Sequence, residues 1–238
     1  MSVPGAKPAG ARAGRLEGEA MESATVQARQ QAGDGAVATE HVAQAIERTA
    51  WRPADPAPLG LAGFAMTTFV LSMFNAQLVS SAGEPVVLPL ALAYGGLAQL
   101  LAGMWEFRNS NTFGAVAFSS YGAFWLSFAA LVAIFGPQIP TANAGDAIGL
   151  FLWAWAIFTA YMFVASLRTT AAVALVLLLL TATFILLAAG NVGAHTDVIK
   201  WGGYIGIATA AAAWYASFAG VTNSTFGRTV LPVMPLKR

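Results

Sequence analysis

Polar and apolar positions in this chain fall into two regimes that meet near residue 55. Residues 1–52 mix Gly, Ala, Gln, Glu and Arg without a sustained apolar run. Beyond them come apolar stretches long enough to cross a bilayer as helices. Six can be placed: Pro58 to Ser80, Val87 to Phe107, Thr112 to Phe135, Ala147 to Ser166, Ala171 to Gly190, and Trp201 to Val221. The breaks between them are short. Gly83, Glu84 and Pro85 read as a loop, and Asn109-Ser110-Asn111-Thr112 as a tight turn whose Asn111 or Thr112 caps the next helix. Gly136-Pro137 and Pro140 interrupt the third stretch, Arg168-Thr169-Thr170 turns the chain again, and Asn191 to Lys200 reads as a polar loop. The pattern predicts an all-α integral membrane protein, a bundle of six transmembrane helices over residues 53–221. A polar N-terminal tail over 1–52, largely disordered with transient helix from Ser23 to Arg48, precedes it, and a tail over 222–238 follows.

The first helix has a marked entry, Asp55-Pro56-Ala57-Pro58-Leu59-Gly60-Leu61-Ala62-Gly63-Phe64. A proline in the first turn loses no hydrogen bond, and its fixed φ suits the helix. Asp55 just ahead can accept from the free N–H groups of that turn. Gly60 and Gly63 leave room for another backbone or a solute to come close. Small residues also recur at spacings of four as Gly95, Gln99 and Gly103, and as Gly202, Gly206 and Ala210. Such faces serve close packing within one protomer or between protomers, and both readings fit.

Composition sharpens the class. Of the 238 residues 57% are hydrophobic and 10% charged, against roughly 25% charged in soluble domains. Eleven of the twelve Lys and Arg residues fall on one side of a six-span topology, with Lys200 alone on the other. The positive-inside rule then predicts both termini in the cytosol. Residues 1–20 carry basic and acidic residues with no apolar core behind them, so they do not read as a secretory leader. Trp51, Trp105 and Trp201 near span ends fit either interfacial anchoring or packing. A net charge of +1 suggests no nucleic-acid partner.

Candidate chemistry is sparse. The chain has no cysteine, which excludes disulfides and thiolate sites, and two distant histidines, His41 and His195, do not make a metal site. Within the six stretches the one ionisable side chain other than tyrosine is Glu106, read as lying at a membrane edge. This argues against a carboxylate relay and against an intramembrane enzyme, and no cofactor or metal is implied. What the spans offer is neutral donors, among them Thr67, Thr68, Asn75, Gln99, Ser120 and Thr181. These either tie helices together or line a path on which hydroxyls and amides hold a small carboxylate weakly enough to release it.

Pro56-Ala57-Pro58-Leu59-Gly60-Leu61 with Gly63-Phe64 resembles the signature of the acetate uptake transporter family, which includes the bacterial succinate–acetate permease and fungal acetate permeases. Further blocks resemble it in the same order. They are Tyr94-Gly95-Gly96-Leu97-Ala98-Gln99, Ala102-Gly103-Met104-Trp105-Glu106, Asn111-Thr112-Phe113-Gly114, Ser120-Tyr121-Gly122-Ala123-Phe124-Trp125, Ala189-Gly190-Asn191 and Phe226-Gly227-Arg228-Thr229-Val230-Leu231-Pro232. Together they cover about residues 54–232. The first span and the long polar tail look more like the fungal members. The family signature opens with Asn-Pro, whereas here it is Asp55-Pro56. Asp55 either only caps the helix or, as an anion at the cytosolic mouth, alters transport.

The resemblance implies a plasma-membrane hexamer with a separate path through each protomer. It also implies a hydrophobic constriction, which block matching puts at Phe64, Tyr121 and Leu180, with Tyr121 donating a hydrogen bond to the passing carboxylate. The function it implies is transport of acetate and other short monocarboxylates, with succinate as a further substrate, by a channel or a proton-coupled carrier. With no acid relay in the spans, proton coupling would use the substrate's own protonation. Two other readings fit the residues alone: a transport-inactive membrane sensor or scaffold signalling through the N-terminal tail, and a channel for a neutral solute such as ammonia or urea.

Overall fold

The structure, a computed structural model, describes residues 21–25, 27–33, 35, 39–41, 51 and 53–236. The chain divides into two units, Met1–Arg52 and Pro53–Arg238. In the first unit the described residues from 21 to 41 are helical and exposed, and the rest of the expected N-terminal tail lies outside the described residues.

Among the described residues six helices are long and apolar enough to cross a membrane, and all six lie in the second unit. The first span is α1, Ala57–Asn75. Pro58 sits in its first turn, and Asp55, one residue ahead of the N-cap Pro56, accepts at Oδ1 from the Ala57 N–H at 2.9 Å, so it pairs the first free N–H of the helix from outside the cap position. The second span is broken into segments: a 3-10 turn Ser81–Val86, α2 Val87–Leu92, a π segment Ala93–Ala98, and α3 Gln99–Arg108. The third is α4, Thr112–Ala130, prolonged by a π turn Leu131–Phe135 and a 3-10 turn Gly136–Gln138. Asn111 caps α4 by accepting from the Gly114 N–H at 3.1 Å. The remaining spans are α5 Thr141–Ser166, α6 Ala171–Val192 and α7 Thr196–Phe226.

Three expected loops are helical instead. Gly83-Glu84-Pro85 lies inside the 3-10 turn that leads into α2. The expected polar loop from Asn191 to Lys200 shrinks to residues 193–195. Asn191 remains in α6, where its Nδ2 donates to the Leu187 carbonyl at 2.8 Å, and Asp197 sits in the first turn of α7, where the helix dipole favours an anion. The tail expected from Thr222 begins only after Phe226, at Gly227, whose φ of 63° suits glycine at a helix end. Hydropathy misses these turns because their side chains are polar while their backbones pair within the helix.

Two ends of the bundle can be told apart. At one, Asn109 Nδ2 donates to the Ala54 carbonyl at 3.4 Å, and the Leu236 N–H donates to the Thr169 carbonyl at 2.9 Å. We call this the terminal end; the turns at 76–86, 136–141 and 193–196 form the far end. Helices α1 and α7 pack closely because small residues meet there. A Cβ on Gly203 would strike the Ala76 backbone, and one on Gly206 would strike Ser72 Oγ. Gly63 likewise admits the Tyr94 carbonyl of the π segment, which would lie 2.5 Å from an added Cβ. The small-residue faces of the sequence thus pack within the protomer. Helices α4 and α5, by contrast, meet through rings. Phe124 packs on Phe151 and Trp155 with centroids 5.8 and 5.1 Å away, and Tyr121 on Phe158 at 5.4 Å. Bulky aromatics hold these two backbones apart and leave space beside them.

The tail folds back on the terminal end. Asn223 of α7 clamps it: Oδ1 accepts from the Val230 and Leu231 N–H groups at 2.7 and 2.9 Å, and Nδ2 donates to the Leu231 carbonyl at 2.9 Å. The Tyr215 hydroxyl donates to the Pro232 carbonyl at 2.7 Å. Asn223→Ala removes three bonds at one site and should free residues 228–231, while Tyr215 and the backbone bonds to Thr169 and Ala171 keep 232–236 in place and the bundle stays folded. Limited proteolysis in detergent tests this, with cleavage of the tail expected to quicken by about tenfold or more; an unchanged cleavage rate would mean the clamp does not hold it.

Candidate functional site

Two cavities enter the bundle from opposite ends. The far cavity, about 380 Å³, is lined by Thr68, Ser72 and Asn75 of α1, Trp125 of α4, Thr183 of α6 and the mouth residue Glu84. The terminal cavity, about 440 Å³, is lined by Gln99 and Glu106 of α3, Asn111, Tyr121 of α4, Thr169, Thr170 and the tail residue Pro235. Phe64 and Leu180 line both. Their side chains are therefore the wall between the two, and Tyr121 flanks it on the terminal side with its ring centroid 5.8 Å from that of Phe64. All three are buried within the protomer, at 4%, 3% and 3% exposure, rather than turned to lipid.

The remaining expected path residues divide. Thr68, Asn75 and Gln99 line the cavities. Thr67, Ser120 and Thr181 line neither. Thr67 is fully buried against Gly95 and donates to the Gly63 carbonyl at 2.9 Å, Ser120 is half-buried, and Thr181 donates back to the Leu177 carbonyl at 2.7 Å. Asp55, Pro56, Pro58 and Gly60 form the helix entry, with Gly60 making room for the Phe118 ring.

The expected donation by Tyr121 meets a competing bond. Its hydroxyl donates to Thr159 Oγ1 at 3.1 Å, and Thr159 in turn donates to the Trp155 carbonyl at 2.7 Å. A phenol has one proton, and here it is engaged inside the protein. The donors without partners lie elsewhere. Thr68 Oγ1 and Trp125 Nε1 are both buried, both in the far cavity's lining, and neither has a hydrogen-bond partner. A buried donor left unpaired costs about 1–3 kcal/mol, so such a pair points to a ligand with acceptor oxygens. Trp125 was legible as the residue four after Tyr121, one turn along the same helix face.

Glu106 departs from expectation. It stands near a helix end, as the sequence suggests, yet its exposure is 1% and it lines the terminal cavity. Asn111 folds over it from the turn and donates to Oε2 at 3.0 Å. The path lining is therefore not wholly neutral. The signal was its seven-residue spacing from Gln99, which returns both side chains to one face of α3. Among the described residues no group of three or more His, Asp or Glu side chains is placed to hold a metal ion.

Comparison with known proteins matches this architecture. The chain is 45% identical over 195 residues to acetate permease A of Emericella nidulans, a match covering 76% of this chain and 65% of that protein's length. It is 40% identical over 182 residues to the succinate-acetate/proton symporter SatP of Escherichia coli K12, covering 76% of this chain and 95% of that one. The solved structure of the bacterial acetate channel SatP superposes with a TM-score of 0.71 at 39% identity, covering 76% of this chain and 99% of that one. These relatives are transporters and channels, and the six spans make this a multi-pass membrane protein. Residues 38–238 match the GPR1/FUN34/yaaH family, and the chain belongs to that family.

Proposed function

We propose that the protein carries acetate and other short monocarboxylates, with succinate as a longer substrate, across the plasma membrane. The path runs through each protomer from the far cavity, past Phe64, Tyr121 and Leu180, to the terminal cavity. The same reading has the protein as a hexamer with both termini cytosolic, in keeping with the one-sided placement of its Lys and Arg residues. The observation that carries it is the pair of cavities of about 380 and 440 Å³ separated by Phe64 and Leu180, the far one holding the unpartnered donors Thr68 Oγ1 and Trp125 Nε1. Two neutral donors suit a carboxylate that must also leave. A lysine or arginine there would hold it longer. The apolar wall excludes water and hydrated ions until the bound acid, part-stripped of its hydration, is passed through.

Labelled-acetate uptake into liposomes, with an imposed pH gradient, clamped membrane potential and protein-free vesicles subtracted, tests this reading. A sensor without transport would give no flux above the subtracted background. Thr68→Val deletes one donor at nearly constant shape, and Trp125→Phe deletes the other together with the five-membered ring that carries it. Each should raise the apparent KM for acetate by about tenfold, the worth of one hydrogen bond to a charged group. An unchanged KM in both would remove the far cavity from the path.

A further inference from the structure

The far mouth carries a charge of the same sign as the cargo. Glu84 sits in the 3-10 turn Ser81–Val86 that leads into α2, is half-buried, and lines the far cavity. It is the one charged side chain among the described residues of that lining. Among the described residues none hydrogen-bonds or ion-pairs with its carboxylate. Nor does the turn need the carboxyl for its shape. It closes through its backbone, with the Gly83 N–H donating to the Ser80 carbonyl at 3.0 Å and the Val87 N–H to the Glu84 carbonyl. The other charged groups of the far end, Asp146 of α5 and Asp197 and Lys200 of α7, are not part of the lining. With two acids to one base, they do not cancel Glu84. An unpartnered carboxylate at the entrance of an anion path repels every anion that enters. Its effect is unequal, because the repulsion is absent for a neutral acid and twice as large for a dianion as for a monoanion. Low-dielectric walls focus such a field along a cleft.

From this placement, and resting on the carrier reading above, we infer that Glu84 is a specificity-determining residue that makes the far mouth sort acids by charge, admitting a monocarboxylate and holding back a dicarboxylate dianion. Thr68 Oγ1 and Trp125 Nε1 offer hydrogen bonds to a carboxylate, and a dicarboxylate presents two. Those donors therefore cannot reject the second carboxylate, whereas a fixed negative charge at the mouth does. Phe64 and Leu180 sort by size. A monoanion and a dianion of equal length look alike to that wall and unlike to Glu84. A four-carbon dicarboxylate then enters chiefly with one of its two carboxyls protonated.

The test uses the full chain in liposomes, with butyrate and succinate as size-matched four-carbon probes of one and two charges. The pH is equal on both sides and well above the second ionisation of succinate, and protein-free vesicles are subtracted. Tracer exchange is read at low occupancy, where permeability is the same in both directions and the orientation of the protein does not matter. Glu84→Gln should raise the succinate-to-butyrate ratio of kcat/KM by about fivefold at about 0.01 M salt, the effect of one unit charge acting over a few ångströms in water-like surroundings. Glu84→Lys should raise it further. Both effects should shrink at about 1 M salt, where the screening length is about 3 Å. A lost structural role would slow both acids together at either salt concentration. A ratio unchanged at low salt in both variants overturns the inference and leaves the carrier reading standing. If neither variant exchanges either acid, the wild type decides. Raising the salt from about 0.01 M to about 1 M should itself raise its ratio by about threefold or more, and a flat ratio overturns the inference. Wild-type protein that exchanges neither probe nor acetate above protein-free vesicles overturns the carrier reading and this inference with it.

Discussion

Leu180→Ala is expected to raise the flux of three- and four-carbon acids relative to acetate by about tenfold, equivalent to some 1.4 kcal/mol removed from a steric barrier. Leu180 lines both cavities and is 3% exposed, so truncating it joins the two spaces instead of opening a closed void beside the path. The wall then consists of Phe64 with Tyr121 behind it. Acetate gains less, because it already fits. Loss of buried contacts also costs stability, about 2–5 kcal/mol by analogy with core truncations, so flux is to be normalised to folded protein measured by size-exclusion in detergent. Competition of lactate or succinate against labelled acetate reads the change directly. Should the ratio between large and small acids stay as in the wild type, the narrow point lies elsewhere.

The largest structural effect is expected from Gly63→Val. A Cβ at that position would lie 2.5 Å from the Tyr94 carbonyl oxygen, which belongs to backbone and cannot swing aside. The two branches of valine add to the collision. Overpacking of this kind costs about 3 kcal/mol where the neighbour must move bodily, and here the neighbour is the π segment of the second span. Folded yield and thermal unfolding in detergent should both fall sharply. Gly83→Ala is the control: the nearest atom to its Cβ would be a Phe74 ring carbon at 3.4 Å, an ordinary contact. Equal stability in the two variants would show that α1 and the π segment do not rely on this approach.

Much of the fold was legible because lipid leaves few choices. Six apolar runs, prolines and glycines between them, and a charge count by side give the spans and their order, since every spanning backbone must pair within its own helix. What composition concealed was the ends. Asp146 and Asp197 lie inside α5 and α7, because a helix continues past the apolar zone wherever its polar side chains reach solvent. The site was legible in part for a different reason. Phe64, Tyr121 and Leu180 were named by resemblance and lie side by side between the two cavities, whereas Trp125 entered only as part of a matching block and Glu106 only as a carboxylate at a membrane edge. Tryptophan in a span reads as packing until its N–H proves to lack a partner. A glutamate at a helix end reads as solvated until the following turn, through Asn111, is seen to close over it. Thr67, chosen for its hydroxyl, turns out to meet Gly95 at a helix contact, which no count of donors can reveal.

The π turn at Ala93–Ala98 bears on how the second span tolerates changes in length. An i→i+5 turn carries a surplus residue relative to the ordinary ladder. Deleting one amino acid there would let the wide turn close to an ordinary one, and Val87 and Ala91, at 1% and 0% exposure, would keep their inward seating relative to Gln99–Arg108. The same deletion in a regular stretch would instead turn everything upstream by about 100°. Ala91 would then take the outward place of Leu92, and the half-buried Leu90 would be driven into the buried place of Ala91. The wide turn is thus the one stretch of this span that can give up a residue and leave both of its flanks seated.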